Sequence, residues 1–159
     1  MSNQLPQIDE KFYQALAGED DLGVVIRAQI HVESSVIEFI NQKISDLKSL
    51  RRLRFGQRVE LACELGLNSE LKSPLKKLGD LRNDFAHKIY ANLSKDKVES
   101  FYNVFDEKTK GFFQTAYEAT GSEMLKEIPN FSGLCPKDKF VIMATILKAR
   151  VVVELSRIK

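Results

Sequence analysis

The chain of 159 residues has few cysteines, few histidines and no glycine-rich motif, and each of these absences argues against a particular class of functional site. Its two cysteines, Cys63 and Cys135, are far apart and lack the spacing of metal ligands. Two histidines, His31 and His87, add too few ligands for a zinc site, so we expect neither a metal nor a cofactor. The eight glycines form no GxxxxGKS/T or GxGxxG loop, which argues against ordinary nucleotide-hydrolase and dinucleotide sites.

Long apolar runs and an excess of one charge are also absent. No run approaches the roughly 20 apolar residues that cross a bilayer, and the first residues, MSNQLPQIDE, lack a basic region followed by an apolar core. We therefore expect a cytoplasmic protein without a membrane partner. Lys and Arg number 24 against 22 Asp and Glu, a formal net charge of +2, so any nucleic-acid site must be a local patch of cations.

Helical periodicity runs through nearly the whole chain and predicts an all-α single domain over residues 1–159. Caps and glycines predict helices before residue 90 at about 9–17, 20–48 and 54–65, and a fourth that starts at Asn68, Ser69 or Ser73 and carries the segment RNDFAH. Further on we expect helices capped by Ser94 and Asp106, a loop over 121–136 with one helical turn at 123–128, and a last helix from Pro136 to about residue 158.

The predicted last helix is apolar on nearly all sides. A helix of this kind lies either in the centre of a core or in a subunit interface. Together with the aromatic segments after residue 94, it offers more apolar surface than a small four-helix core needs, so we expect a homodimer. We interpret the aromatic residues themselves as core rather than as platforms for stacked bases.

The segment RNDFAH, residues 82–87, places a permanent cation and a titratable base five positions apart. The guanidinium of Arg82 can hold a phosphate oxygen, and a histidine, whose ordinary pKa is about 6.5, can exchange a proton near neutral pH. With Asn83 to orient substrate or histidine, Arg82 and His87 form a candidate catalytic site for phosphodiester chemistry on RNA. Five residues of an ideal helix turn through about 140°, so convergence requires a loosened helix after Ala86 or a second subunit.

The context of this motif resembles the HEPN superfamily of small helical bundles. The signature of that superfamily is an arginine, a polar residue directly after it, and a histidine four to six residues further on, positions that Arg82, Asn83 and His87 occupy. The runs from Leu53 to Leu67 and from Leu78 to His87 look like the mannitol-repressor-like (MltR) branch.

The resemblance implies a HEPN-type helical bundle over about residues 20–90, with additional C-terminal helices over about 94–158. Many HEPN proteins are metal-independent RNA endonucleases that dimerise to bring two Arg/His motifs together, whereas others bind nucleotides or protein partners and cleave nothing. The mannitol-repressor-like branch carries a transcriptional label, although this chain has no recognisable sequence-specific DNA-reading element.

A structural role for Arg82 is the alternative. Arg82 lies on an apolar stripe, four residues after Leu78 and three before Phe85, and Glu33 interrupts a similar stripe in the earlier long helix. An unpaired buried charge is too costly to keep. We therefore expect a structural pair of Glu33 and Arg82 that ties the two helices together.

Five cations, Lys48, Arg51, Arg52, Arg54 and Arg58, fall within eleven residues between the second and third predicted helices. Such a run is usually a solvated surface. If it lies close to the RNDFAH motif, it forms a candidate RNA- or phosphate-binding surface, with strong salt dependence and little sequence preference.

Two functions from different classes follow. In the favoured one, the chain is a dimeric, non-catalytic regulatory or scaffold protein of the mannitol-repressor-like kind that binds RNA, a nucleotide or a protein partner. In the alternative it is a metal-independent, toxin-like RNA endonuclease. There His87 draws the proton from a ribose 2′-hydroxyl and Arg82 stabilises the charge on the phosphate, so DNA, which lacks that hydroxyl, is not cut.

Overall fold

The computed structural model describes residues 4–45, 48–88, 91–119 and 130–158, and all regular structure in these ranges is helical. The all-α prediction is therefore confirmed. Among the described helices, none combines the length and apolar character needed to cross a membrane. The α-helices in these ranges are α1 (Glu10–Ala17), α2 (Asp21–Lys43), α3 (Phe55–Glu64), α4 (Lys72–His87), α5 (Lys95–Asn103), α6 (Glu107–Ala119) and α7 (Pro136–Ser156).

Side chains cap four of the helix starts that the sequence predicts. Asp9, Asp20, Ser94 and Asp106 accept hydrogen bonds from backbone N–H groups three residues later, at 3.1, 2.7, 3.3 and 3.1 Å. Each bond satisfies an N–H group that the first helical turn leaves unpaired. α2 ends at Lys43, earlier than expected, and Ile44 leaves the helix with an extended backbone (φ −130°, ψ 117°).

The connection from α3 to α4 explains how a proline enters a helix. Gly66 follows α3 with φ 110°, a left-handed conformation that glycine adopts without strain. A 3-10 turn at Ser69–Leu71 leads directly into α4. Pro74 is the third residue of α4, within the first turn, where a missing N–H breaks no helical hydrogen bond.

The buried stripe of α4 differs from the prediction at one position. Leu75, Leu78 and Phe85 are buried as expected, and Leu81 joins them with 5% exposure. Arg82 is turned about 100° further around the helix and is exposed. Because Leu81 fills the core position between Leu78 and Phe85, Arg82 has no need of a buried partner.

α7 occupies the centre of the bundle and packs against α1, α2, α5 and α6. Every residue from Phe140 to Leu147 is buried, whereas the side chain of Val152, further along α7, is 45% exposed. The apolar surface that led us to expect a dimer is therefore largely covered within one subunit. The helical turn predicted at 123–128 lies outside the described residues.

α2 connects the two sides of the bundle, because it packs against α7 and also against α3 and α4. An open cleft lies between helices α2, α3 and α4, and Arg82, Asn83 and His87 of the RNDFAH motif line it.

Candidate nucleic-acid interface

An open cleft of about 1010 Å³ lies between α2, the start of α3 and α4. We name it the motif cleft, because Arg82, Asn83 and His87 all line it. Arg54 and Arg58, at the start of α3, line it as well. The structure thus brings the three predicted catalytic residues and two members of the predicted phosphate-binding run to one surface.

The three motif side chains are exposed, and the helix that carries them is regular. Arg82 Nη1 donates a hydrogen bond to Asn83 Oδ1 at 3.4 Å. Because α4 stays helical through His87, about 140° still separates Arg82 from His87 around the helix axis. The loosening after Ala86 that would bring these two side chains together does not occur.

Glu33 pairs with Arg58 and not with Arg82, which corrects the predicted structural pair. Arg58 Nη1 lies 3.4 Å from Glu33 Oε1, and the two side chains are 14% and 23% exposed. The same guanidinium donates to the backbone carbonyl of Leu50, from Nε at 3.3 Å and from Nη2 at 3.1 Å. Arg58 therefore ties α3 to α2 and to the 3-10 helix Lys48–Arg52 that precedes it.

The other cations of the basic run divide between two surfaces. Lys48 and Arg51 line a second open cleft of about 680 Å³ beside the end of α2, and Arg58 borders this cleft too. Arg54 is exposed in the motif cleft, whereas Arg52 is exposed and lines neither cleft. The run therefore forms two adjoining patches, with the partly buried Arg58 between them.

Ion pairs neutralise part of the charge in and around the motif cleft. Lys76 Nζ pairs with Glu60 Oε1, and Lys72 Nζ lies 2.8 Å from Glu60 Oε2. Hydrogen bonds from Lys72 and Lys76 hold the pKa of the Glu60 carboxyl below its ordinary value. In contrast, within the described ranges the guanidinium groups of Arg54 and Arg82 have no carboxylate within 4.0 Å. These two cations can accept an anionic ligand without first breaking an ion pair.

Sequence reasoning did not identify Phe55 and Gly79 as residues of the site, although both line the motif cleft. A Cβ atom at Gly79 would lie 2.8 Å from Phe55 Cδ2, so only glycine lets α4 approach the half-buried ring this closely. The available signal was a glycine inside a helix, where it is less favourable than alanine by about 1 kcal/mol and therefore has a packing reason.

The arrangement suits a ligand that carries more than one phosphate. Arg54 directly precedes α3 and Arg82 lies in α4, so a phosphate-bearing chain in the cleft can contact both. Across the part of the chain that the structure describes, no group of three or more His, Cys, Asp or Glu side chains is placed to hold a metal ion. The expected absence of a metal stays a prediction.

No protein-family model, curated protein or solved structure matches the chain. The resemblance to HEPN proteins and to their mannitol-repressor-like branch therefore stays a prediction that depends on the residues of the motif and its surroundings.

Proposed function

We propose that this protein is a HEPN-type regulatory protein that binds RNA in the motif cleft without cleaving it. One observation supports the proposal: Arg82, Asn83 and His87 share a single cleft with Arg54, and the two arginines have no carboxylate partner among the described residues. A guanidinium group stays charged at all physiological pH values and matches two phosphate oxygens at once.

Binding through phosphates implies salt dependence with little sequence preference. Each phosphate contact on a single strand contributes about −0.7 to the slope of log K against log salt concentration. Because two arginines are free of carboxylates and Asp80 also lines the cleft, we expect a shallow slope and modest affinity. Gln29, Gln57 and Asn83 in the same cleft can hydrogen-bond to ribose or base edges.

The geometry of α4 favours binding over cleavage. A general base must come within about 2.6–3.2 Å of the 2′-hydroxyl while the arginine holds the adjacent phosphate. On a regular helix Arg82 and His87 diverge by about 140°, so one subunit does not direct both side chains to the same phosphodiester.

Fluorescence anisotropy with an end-labelled single-stranded RNA tests this proposal. We expect Arg82→Ala and Arg54→Ala each to weaken binding about fivefold, equivalent to about 1 kcal/mol, and to reduce the salt slope. Arg52→Ala is the matched control, because it removes the same charge from an exposed residue of the same run that does not line the cleft. Equal losses of RNA affinity in all three variants would indicate diffuse electrostatic attraction and would reject the motif cleft as the binding site. Competition by a mononucleotide distinguishes a nucleotide ligand from RNA.

Cleavage in the same cleft is the second candidate, because His87 is exposed in the cleft that Arg82 and Asn83 also line. In this version a second subunit supplies the histidine that complements Arg82. The purified protein then cuts single-stranded RNA in the presence of a chelator, leaves the matching DNA intact and produces cyclic phosphate ends. His87→Ala abolishes cutting and retains RNA binding. Cutting at full rate by the His87→Ala protein would point to a contaminating nuclease or to another site.

We also propose a homodimer, supported by α2 and not by α7. Ile30 is 57% exposed and Leu22 is 46% exposed, and the half-buried Ile26 lies between them on the same side of α2. Contact between two copies of this face would remove apolar surface from water. Sedimentation at micromolar concentration should give twice the 18.1 kDa of one chain, and Ile30→Glu should give the single chain. A wild-type monomer would reject both the dimer and a composite active site.

A further inference from the structure

A separate pocket of about 350 Å³ lies between α5, the 3-10 turn Phe131–Gly133 and the first turns of α7. It shares no residue with the motif cleft. We name it the α5–α7 pocket. Its apolar walls come from Val98, Tyr102, Leu134, Met143 and the ring of Phe131.

The size and lining of the α5–α7 pocket suit a small molecule. Pockets of about 300–1000 Å³ with apolar and aromatic walls and a few polar groups are typical ligand sites. The pocket is open to solvent, and its volume of about 350 Å³ has room for a ligand of about ten non-hydrogen atoms, since one water molecule takes about 30 Å³ of the liquid. Met143 is fully buried, and its flexible thioether can adapt to the shape of such a ligand.

Two lysines give the pocket its charge preference. Lys95 and Lys139 line the pocket, and among the described residues neither ammonium group has a carboxylate within 4.0 Å. Lys95 is the first residue of α5 and Lys139 the fourth of α7, where the helix dipole disfavours a cation. An anion between the two lysines offsets that cost. Glu99 lines the same pocket and acts in the opposite direction.

We propose that the α5–α7 pocket binds a small amphipathic carboxylate. The apolar body of the ligand packs against Tyr102, Phe131 and Met143, and its carboxylate lies between Lys95 and Lys139. This site is independent of RNA binding in the motif cleft, so the two proposals stand or fall separately.

Calorimetry with octanoate, 1-octanol and octylamine tests the proposal, because these probes share one apolar chain and differ in the charge of the head group. We expect octanoate to bind most tightly and octylamine most weakly. The methyl signal of Met143, assigned with Met143→Leu, should shift on addition of octanoate, since Met143 lines the pocket. Equal affinity for the three probes, no binding of octanoate, or an unmoved Met143 signal would each overturn the proposal.

Charge variants of the full chain provide the second readout. Lys95→Gln and Lys139→Gln should each weaken octanoate binding about two- to fivefold, because exposed ion pairs contribute little individually. Glu99→Gln should strengthen it by a similar factor. Lys108→Gln, at an exposed lysine of α6 outside the pocket, is the matched control and should change nothing. If none of the variants at Lys95, Lys139 and Glu99 changes octanoate binding, the two lysines do not bind the carboxylate of the ligand and the proposal is rejected.

Discussion

The motif cleft and the aromatic cluster show two different ways in which side chains of this protein are held. The aromatic cluster consists of Phe101, Phe105, Phe113, Phe131 and Phe140. Their rings contact one another at 5.0–5.5 Å between centroids, and none is more than 7% exposed. The motif side chains of the cleft are exposed, and a hydrogen bond of 3.4 Å links the first two of them.

Similar helical spacing leads to opposite outcomes in the two regions, since the aromatic side chains are buried and the motif side chains are exposed. The interpretation of the aromatic segments as core is confirmed by the burial of Phe101, Phe105 and Phe113. The arginine on the apolar stripe of α4 turned out to be exposed, because a neighbouring leucine fills the core position. Stability should therefore depend mainly on the aromatic cluster and RNA binding mainly on the motif cleft, and this separation can be measured.

The largest expected effect on stability comes from Phe101. The ring is fully buried and lies 5.0 Å from Phe105 and 5.5 Å from Phe140. Phe101→Ala should lower the free energy of unfolding by about 3–5 kcal/mol, because it leaves a cavity among the rings. Arg82→Ala should change it by less than about 0.5 kcal/mol. Urea unfolding followed by circular dichroism measures both.

Phe101→Leu serves as the companion variant, since it retains part of the volume and should fold even if the alanine variant does not. A loss in Arg82→Ala comparable to that in the Phe101 variants would make the motif part of the core. The distinction between the two regions would then fail.

Much of the fold was predictable because helix signals are local. Asp20 and Ser94 mark helix starts through hydrogen bonds within one turn, and Pro136 marks one because its fixed φ suits the first helical position. Gly66 marks a helix end through its own backbone conformation. The end of α2 was not predictable in this way. Its apolar spacing continues to Ile44, which leaves the helix although no glycine or proline stops it.

The site was predictable in its residue types but not in its pairings. The motif does share a cleft with two of the five cations of the basic run, since Arg54, Arg58 and Arg82 all line it. Which arginine pairs with Glu33 depends on how α3 lies against α2, and sequence spacing within one helix carries no information on that orientation. Leu81 was the one local clue, since a leucine beside Arg82 already completes the buried stripe.

The next largest effect on stability is expected at Arg58, which lines the cleft and is partly buried against its partners. It contacts both Glu33 and the carbonyl of Leu50 and is 14% exposed. Arg58→Ala should destabilise the protein by about 1.5–3 kcal/mol, because it removes charge-assisted hydrogen bonds from partly buried acceptors. Chemical denaturation of the single variants and of Glu33→Gln gives the values.

Double-mutant cycles then sharpen the contrast between the two arginines. The cycle of Glu33 with Arg58 should yield a clear coupling energy, about 0.5 kcal/mol or more. The cycle of Glu33 with Arg82 should yield a coupling near zero. A strong coupling energy between Glu33 and Arg82 would mean that these two side chains do interact, as the sequence predicted, and would contradict the pairing of Glu33 with Arg58 alone.

A smaller effect is expected from two helix-interior glycines, Gly79 in the motif cleft and Gly111 on the exposed side of α6, the helix that carries Phe113. Gly111 of α6 is exposed, and a Cβ atom there would meet nothing within 4 Å, so Gly111→Ala should stabilise the protein by about 0.5–1 kcal/mol. At Gly79 the new atom would lie 2.8 Å from Phe55, so Gly79→Ala should destabilise it by about 1–3 kcal/mol through overpacking. Thermal unfolding of both variants provides the comparison, and a stabilising Gly79→Ala would mean that Phe55 moves freely in the cleft.

The smallest expected effect is a pH dependence at His31, whose ring lies 5.1 Å from that of Phe12 in α1. Burial lowers the pKa of His31, the charges of Lys148 and Arg27 lower it further, and Asp9 opposes them. Because the folded protein holds this proton less tightly than the unfolded chain, the free energy of unfolding should fall as the pH drops through the ordinary value of 6.5 toward the lowered folded value. Well above 6.5 the group is neutral in both states and contributes no slope.

Urea unfolding between about pH 5 and 7.5 measures the pH dependence that His31 causes, and His31→Gln should flatten it, whatever the variant loses in ring contact. Asp9 acts in a separate window: the hydrogen bond from Lys148 lowers its pKa, so its stabilisation is present above 3.8 and is lost only as the pH falls through the lowered value. A slope near neutral pH that persists unchanged in His31→Gln would assign the acid sensitivity to other groups.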